Sequence, residues 1–209
     1  MDAIPSVAQC RELWERAHVP PHIREHSRKV ALVAQAPASH LNLNSLRVNV
    51  DLVRAGALLH DIAKGLSLKT GENHAQLGYA LLWRWGWHQV APIVRDHILM
   101  DPERAQGPIT ESLLVNYADK RVKHDQIVGL EERFEDLILR YGKTPAIRDD
   151  LRRRLDLYRI VEARIFSHLP WNPEDVERFT DLRVPKGLSS AASGPMPGGA
   201  DPIPIRPES

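Results

Sequence analysis

Apolar residues recur at helical spacing in nearly every periodic stretch of this chain, and that period constrains the fold more than any other feature. Pro21 opens one such stretch, which runs to about Ala36 and is broken by Pro37. Asn49 caps a second, Val50 to about Ala63, with Gly65 just past its end. Others run from about His74 to Trp85, from Gln89 to Leu99 and from Thr110 to about Val122. A further repeat, Gln126 to Tyr141, places Ile127, Leu130, Phe134, Leu137, Ile138 and Tyr141 on one stripe and stops at Gly142. Thr144-Pro145 and Asn172-Pro173 open the last two helices. Strand alternation and Asn-Gly hairpin signals are absent. The expected class is all-α, a helical bundle of about seven to nine helices.

The ionisable residues on those stripes carry the chemical information. His26 shares the face of Ile23, Val30 and Val33. Val53, Ala57, His60, Asp61 and Lys64 share another face, with His60 and Asp61 about 100° apart around the helix. His74 leads the stripe of Leu77, Gly78, Leu81 and Leu82, His97 continues Val90, Ile93 and Val94, and Asp119 continues Val115. Any one of these histidines alone reads as a satisfied core residue. Together, four imidazoles and two carboxylates aimed inward from five helices would be costly as unpaired groups and favourable around divalent cations. Imidazole with carboxylate suits iron, manganese or zinc rather than calcium, and six protein ligands point to two ions rather than one. Periodicity assigns each residue its inner face and leaves open whether the five faces meet.

The string Leu58-Leu59-His60-Asp61-Ile62-Ala63-Lys64-Gly65 resembles the signature of the HD superfamily of metal-dependent phosphohydrolases. His26-Ser27-Arg28-Lys29-Val30 resembles that family's first metal-binding histidine segment, and Tyr117-Ala118-Asp119 its final metal-binding aspartate. His74-Ala75-Gln76-Leu77-Gly78 and Arg95-Asp96-His97 look like the two extra histidines of binuclear members. The resemblance spans roughly residues 20 to 141. It implies that His26, His60, Asp61 and Asp119 hold one metal and that His74 and His97 complete a second site, bridged by Asp61. Iron or manganese would be the ions, with zinc, cobalt or nickel possible, and the nucleophile would be metal-bound hydroxide. Asp61 and Lys64 are the expected catalytic residues. Lys64 would also contact a substrate phosphate, with Arg95 and Lys120 as further substrate-binding candidates and Arg121 beside them.

The order His, His-Asp, His, His, Asp is most similar to bacterial members that split diadenosine tetraphosphate. Two departures stand out: the basic run Lys120-Arg121-Val122-Lys123 after Asp119, and Ile98-Leu99-Met100 after His97. The expected activity is therefore hydrolysis of a phosphoester or phosphoanhydride, of a nucleotide or dinucleoside polyphosphate. The alternative is a metal- or nucleotide-binding regulatory module without turnover.

Composition narrows the partners. Lys plus Arg number 28 against 27 Asp plus Glu, a formal net charge of +1, which gives no basic excess for a duplex and weighs against an RNA nuclease. The expected partner is a small phosphorylated substrate, with no DNA and no membrane, and the Gln126 to Tyr141 helix offers apolar positions for a possible homodimer. A single cysteine, Cys10, and an N-terminus without signal-peptide features lead to an expected cytoplasmic location. Residues 1–184 are expected to form one domain, followed by a disordered tail at 185–209 rich in Pro, Gly and Ser. Outside the constellation, His18, His22, His40, His88, His124 and His168 read as surface or capping residues. Trp83, Trp85 and Trp87 read as packing, and Gly65 to Asn73 as a connecting loop that could act as a lid.

Overall fold

The computed structural model describes residues 3–43 and 46–180. In chain order the elements are α1 (Val7–Arg16), α2 (Pro21–Leu43), α3 (Val50–Leu59), α4 (Lys64–Thr70), α5 (His74–Arg84), α6 (Val90–Asp96), α7 (Pro102–Gln106) and α8 (Glu111–Asp119). A short hairpin, β1 (Val122–Lys123) and β2 (Gln126–Ile127), then leads to α9 (Leu130–Tyr141), α10 (Pro145–Phe166), a 3-10 turn (Pro173–Asp175) and α11 (Val176–Thr180). Among the described residues seven helices (α1, α2, α3, α5, α8, α9 and α10) have nine residues or more, and α4, α6, α7 and α11 are shorter. The all-α bundle expected from the periodicity is what forms. The tail assigned to residues 185–209 lies outside the described residues.

Polar side chains set the helix starts by accepting from orphan N–H groups of the first turn. Asn49 accepts from Leu52 N, Asn73 from Ala75 N and Gln76 N, Thr110 from Leu113 N and Thr144 from Ile147 N. The Asn73 cap matters for function, because it makes His74 the first residue of α5.

α3 is the central strut and packs against α1, α2, α6 and α8. Its Val53, Ala55, Gly56, Ala57, Leu58 and Leu59 are all buried. Small residues set the close approaches. A Cβ on Gly56 would lie 2.7 Å from Ile93 Cγ2, so α3 and α6 touch almost backbone to side chain. A Cβ on Gly78 would lie 2.7 Å from Val94 Cγ1 and 3.4 Å from Ile62 Cγ2, so α5 is drawn onto α6 and onto the turn after α3. Trp14 of α1 donates from Nε1 to the Leu58 carbonyl at 2.8 Å, pinning the end of α3.

Three expectations need correction. α2 does not break at Pro37 but runs on to Leu43. Ala38 and Leu41, both buried, keep the helix packed beyond the proline and offset the missing hydrogen bond. The segment after Gly65 is not a loop throughout: it contains α4, which ends at Gly71 in the left-handed region (φ +73). No residue of α4 is buried, so it has no apolar stripe for periodicity to detect. The helix expected from Gln126 begins instead at Leu130, because Val122–Lys123 and Gln126–Ile127 pair as an antiparallel hairpin. Its turn is His124-Asp125, with His124 at φ +56, rather than the Asn-Gly that would have signalled it.

The Gly78 contact gives a direct test. Gly78→Val forces a branched side chain against the equally stiff Val94 and should lower unfolding stability by about 1–3 kcal/mol, read as an earlier urea midpoint at unchanged slope.

Candidate metal centre

The residues singled out from the sequence converge. His26 comes from α2, and His60 and Asp61 from the turn joining α3 to α4, which begins just after the helix stops at Leu59. His74 opens α5, His97 immediately follows α6, and Asp119 is the last residue of α8. His60, Asp61, His97 and Asp119 are buried, and His26 and His74 are partly so. Three helices, α3, α6 and α8, thus end at the cluster. Their C-terminal carbonyl ends bring partial negative charge to it, which favours a cation there.

Backbone hydrogen bonds orient three of the imidazoles. His60 Nδ1 lies 2.7 Å from Ala57 O, His97 Nδ1 2.6 Å from Val94 O and His26 Nδ1 2.7 Å from His124 O. A carbonyl oxygen only accepts, so each Nδ1 carries the proton and each Nε2 faces the centre. There His26 Nε2 is 3.0 Å from Asp119 Oδ1, and His60 Nε2 is 3.6 Å from Asp61 Oδ2 and 3.7 Å from Asp119 Oδ1. His74 Nε2 is 3.2 Å and His97 Nε2 3.6 Å from Asp61 Oδ1, and the two Nε2 atoms lie 3.1 Å apart.

Charges follow from this crowding. Burial drives the His60 pKa down to about 3, against the pull of Asp61 and Asp119, so its imidazole is neutral near pH 7. Burial opposes ionisation of Asp61, but His60, His74, His97 and Lys64 together hold its carboxyl well below the usual range. Asp119 is likewise held ionised against burial by Lys120, His26 and His60. His26 is pushed down by burial, but its hydrogen bond to Asp119, the charges of Asp119 and Asp61 and its bond to the His124 carbonyl together raise it above its ordinary value.

A divalent cation fits this donor set on one observation above all: His60 Nε2 is fully buried and has no hydrogen-bond partner. Its lone pair faces two carboxylates that are themselves only acceptors, and such groups stay together when something positive lies among them. Ligand atoms of His26, His60 and Asp119 lie within 4.8 Å of one another, as do those of His60, Asp61 and His97. Imidazole nitrogen with carboxylate oxygen is a borderline set suited to transition metals.

The other candidates divide. Lys64 Nζ reaches both Asp61 oxygens, at 3.1 and 3.3 Å, while its side chain stays 41% exposed, so it joins the cluster to the surface. Lys120 Nζ bonds Asp119 and lies 5.9 Å from the Tyr158 ring centroid. Arg95 does not join them: it pairs with Asp96 at 2.7 Å and lies over the Tyr79 ring. Arg121 is an interior strut, buried against Glu162, Tyr117 and the carbonyls of Val128 and Pro173, with no surface to offer a phosphate. His22 is exposed rather than built into the centre. Trp85 and Trp87 are buried, as packing requires, whereas Trp83 is half exposed beside Tyr79 and His88. Sequence reasoning passed over His124, whose carbonyl orients His26 and whose ring nitrogen Nε2 meets Arg140 at 2.8 Å. Its role is carried by backbone, and only an unusual hairpin turn would have revealed it.

The neutral His60 makes the metal-free fold acid-sensitive. Its folded pKa lies below its unfolded one, so between about pH 6.5 and about pH 3 the unfolded chain binds a proton that the folded chain refuses, and stability falls as pH falls through that window. In chelator, the urea midpoint should drop between about pH 6.5 and about pH 4.5, and His60→Leu should reduce the drop.

Comparison with known proteins agrees with the geometry. Residues 23–122 match the HD domain family. A ribonuclease Y of Treponema denticola is 36% identical over 72 residues, 34% of this chain and 13% of its own length. A ribonuclease Y of Pseudothermotoga lettingae is 34% identical over 102 residues, 47% of this chain and 18% of its own. The chain therefore spans less than a fifth of these curated relatives. No solved structure matches it. The narrower resemblance to diadenosine tetraphosphate hydrolases finds no support among these relatives. All six metal-ligating candidates fall inside residues 23–122, the stretch that matches the HD domain family.

Proposed function

We propose that the protein is a metal-dependent phosphohydrolase that uses two divalent transition cations to cleave a phosphoester or phosphoanhydride bond in a nucleotide-containing substrate. The observation that carries this reading is the buried, partnerless His60 Nε2 facing Asp61 and Asp119. The HD domain supports hydrolase chemistry of this kind.

His26, His60, Asp61 and Asp119 would hold one cation, and Asp61, His74 and His97 the other. Asp61 suits the shared position, because its Oδ2 faces His60 while its Oδ1 faces His74 and His97. When bound, such a pair acidifies water and offsets the charge that builds on phosphoryl oxygens. The chain's own part is orientation and charge. The three backbone-bonded imidazoles are fixed before any ligand arrives, which removes reorganisation from the reaction. Lys64, half exposed with its ammonium against Asp61, is the cation best placed to meet a substrate phosphate oxygen at the mouth. Lys120 supplies a second positive charge beside Asp119. Arg95, turned to Asp96, has no place in this reading.

Two substrate sizes compete. The near-neutral charge of the chain favours a small nucleotide, whereas the ribonuclease Y relatives favour a ribonucleotide strand. A panel of mononucleotides, dinucleoside polyphosphates and short single-stranded RNA, given to the cation-loaded protein, separates them by product. Turnover of one class that ceases on chelation is the expected result. Tight binding of the whole panel without product would make the protein a regulatory module instead.

Asp61→Ala should lose both cations and at least about 100-fold in turnover, since residues that only support a metal ligand already cost about 10- to 100-fold. Full cation content and activity in that variant would end the proposal. Lys64→Met should keep both cations and weaken substrate binding about tenfold, as expected for one charged hydrogen bond.

A further inference from the structure

Asn116 is fully buried on α8, one turn before Asp119. Its amide nitrogen donates to two backbone carbonyls, Asp96 O at 3.0 Å and Leu99 O at 2.8 Å, and its Oδ1 accepts from the Tyr158 hydroxyl at 2.5 Å. Because carbonyls only accept, the amide can sit only this way round. Both of its N–H bonds are used, and they close on the two carbonyls that bracket His97. Asp96 O closes α6 and also accepts from Leu99 N at 3.1 Å, and Leu99 O lies in the turn that follows the helix. The His97 ring is oriented within its own segment by its Nδ1 bond to Val94 O.

One side chain therefore joins three elements: α8, which carries Asp119; the end of α6, which carries His97; and α10, through Tyr158. The Lys120 ammonium lies over the same Tyr158 ring. A leucine would fill this volume at lower desolvation cost, so packing alone does not call for a fully bonded amide here.

We propose that Asn116 is a positioning residue for the second cation position: it holds the segment bearing His97 in register with Asp61 and with Asp119, and Tyr158 holds Asn116. This rests on the two-cation reading above. Asn116 touches no reacting atom, and its effect passes through His97.

The test is Mn²⁺ binding to the purified full chain, measured as the number of ions bound and the affinity of each. Asn116→Leu keeps the branched shape in a somewhat bulkier side chain and loses all three hydrogen bonds. Asn116→Asp keeps an acceptor for Tyr158 and loses both donated bonds, and Tyr158→Phe keeps Asn116 and loses its anchor. The wild type should bind two ions. Asn116→Leu and Asn116→Asp should bind the first ion as the wild type does and the second about 10- to 100-fold more weakly, in the range measured for residues that orient a metal ligand. Tyr158→Phe should weaken the second ion by a smaller factor. If Asn116→Leu fails to fold, the other two variants decide. A lower melting temperature with both affinities unchanged would show a purely structural amide and overturn the inference alone. A wild type that binds no Mn²⁺ would overturn the two-cation reading and this inference with it.

Discussion

The interior of this bundle holds two ionised carboxylates and a neutral imidazole that have too few protons among them. Asp61 and Asp119 are buried and kept ionised, and His60 between them is kept neutral, its Nε2 without a donor to meet. Burial on this scale costs several kcal/mol per charge when nothing compensates it. Lys64, Lys120 and His26 supply part of the compensation from the edges. The centre is left with electron pairs facing one another, and that is the condition a divalent cation satisfies.

The rest of the fold serves to bring these groups together from distant parts of the chain. α3 ends where His60 begins, α6 ends where His97 begins, and α8 ends on Asp119. Helix ends suit this purpose because their last carbonyls are free to orient neighbouring groups. Ala57 O and Val94 O, each three residues back, accept from the imidazoles that follow them. Glycines at 56 and 78 then let α6 and α5 approach closely enough for the ends to converge. Packing and chemistry are thus set by the same contacts.

The cluster of side chains was largely legible in the sequence because its members obey the helical period. His26, His74, His97 and Asp119 each extend an apolar stripe, and His60-Asp61 sits at the end of another. What escaped notice did so for identifiable reasons. The hairpin that delivers the His124 carbonyl is two residues per strand, too short to alternate, and its turn is His-Asp at a backbone conformation usually left to glycine. α4 buries nothing and so leaves no pattern. Charge alone does not reveal that Asp96 holds Arg95 or that Glu162 and two carbonyls bury Arg121. Asn116 reads as one more polar residue, because its role depends on carbonyls about 20 residues earlier in the chain.

The most direct measurement is anomalous diffraction from crystals of the chain grown with manganese. Two peaks should lie among the side chains of His26, His60, Asp61, His74, His97 and Asp119, with His60 Nε2 in contact with one of them. No peak within ligation distance of His60 Nε2, with manganese bound elsewhere or not at all, would contradict the metal centre and the chemistry built on it.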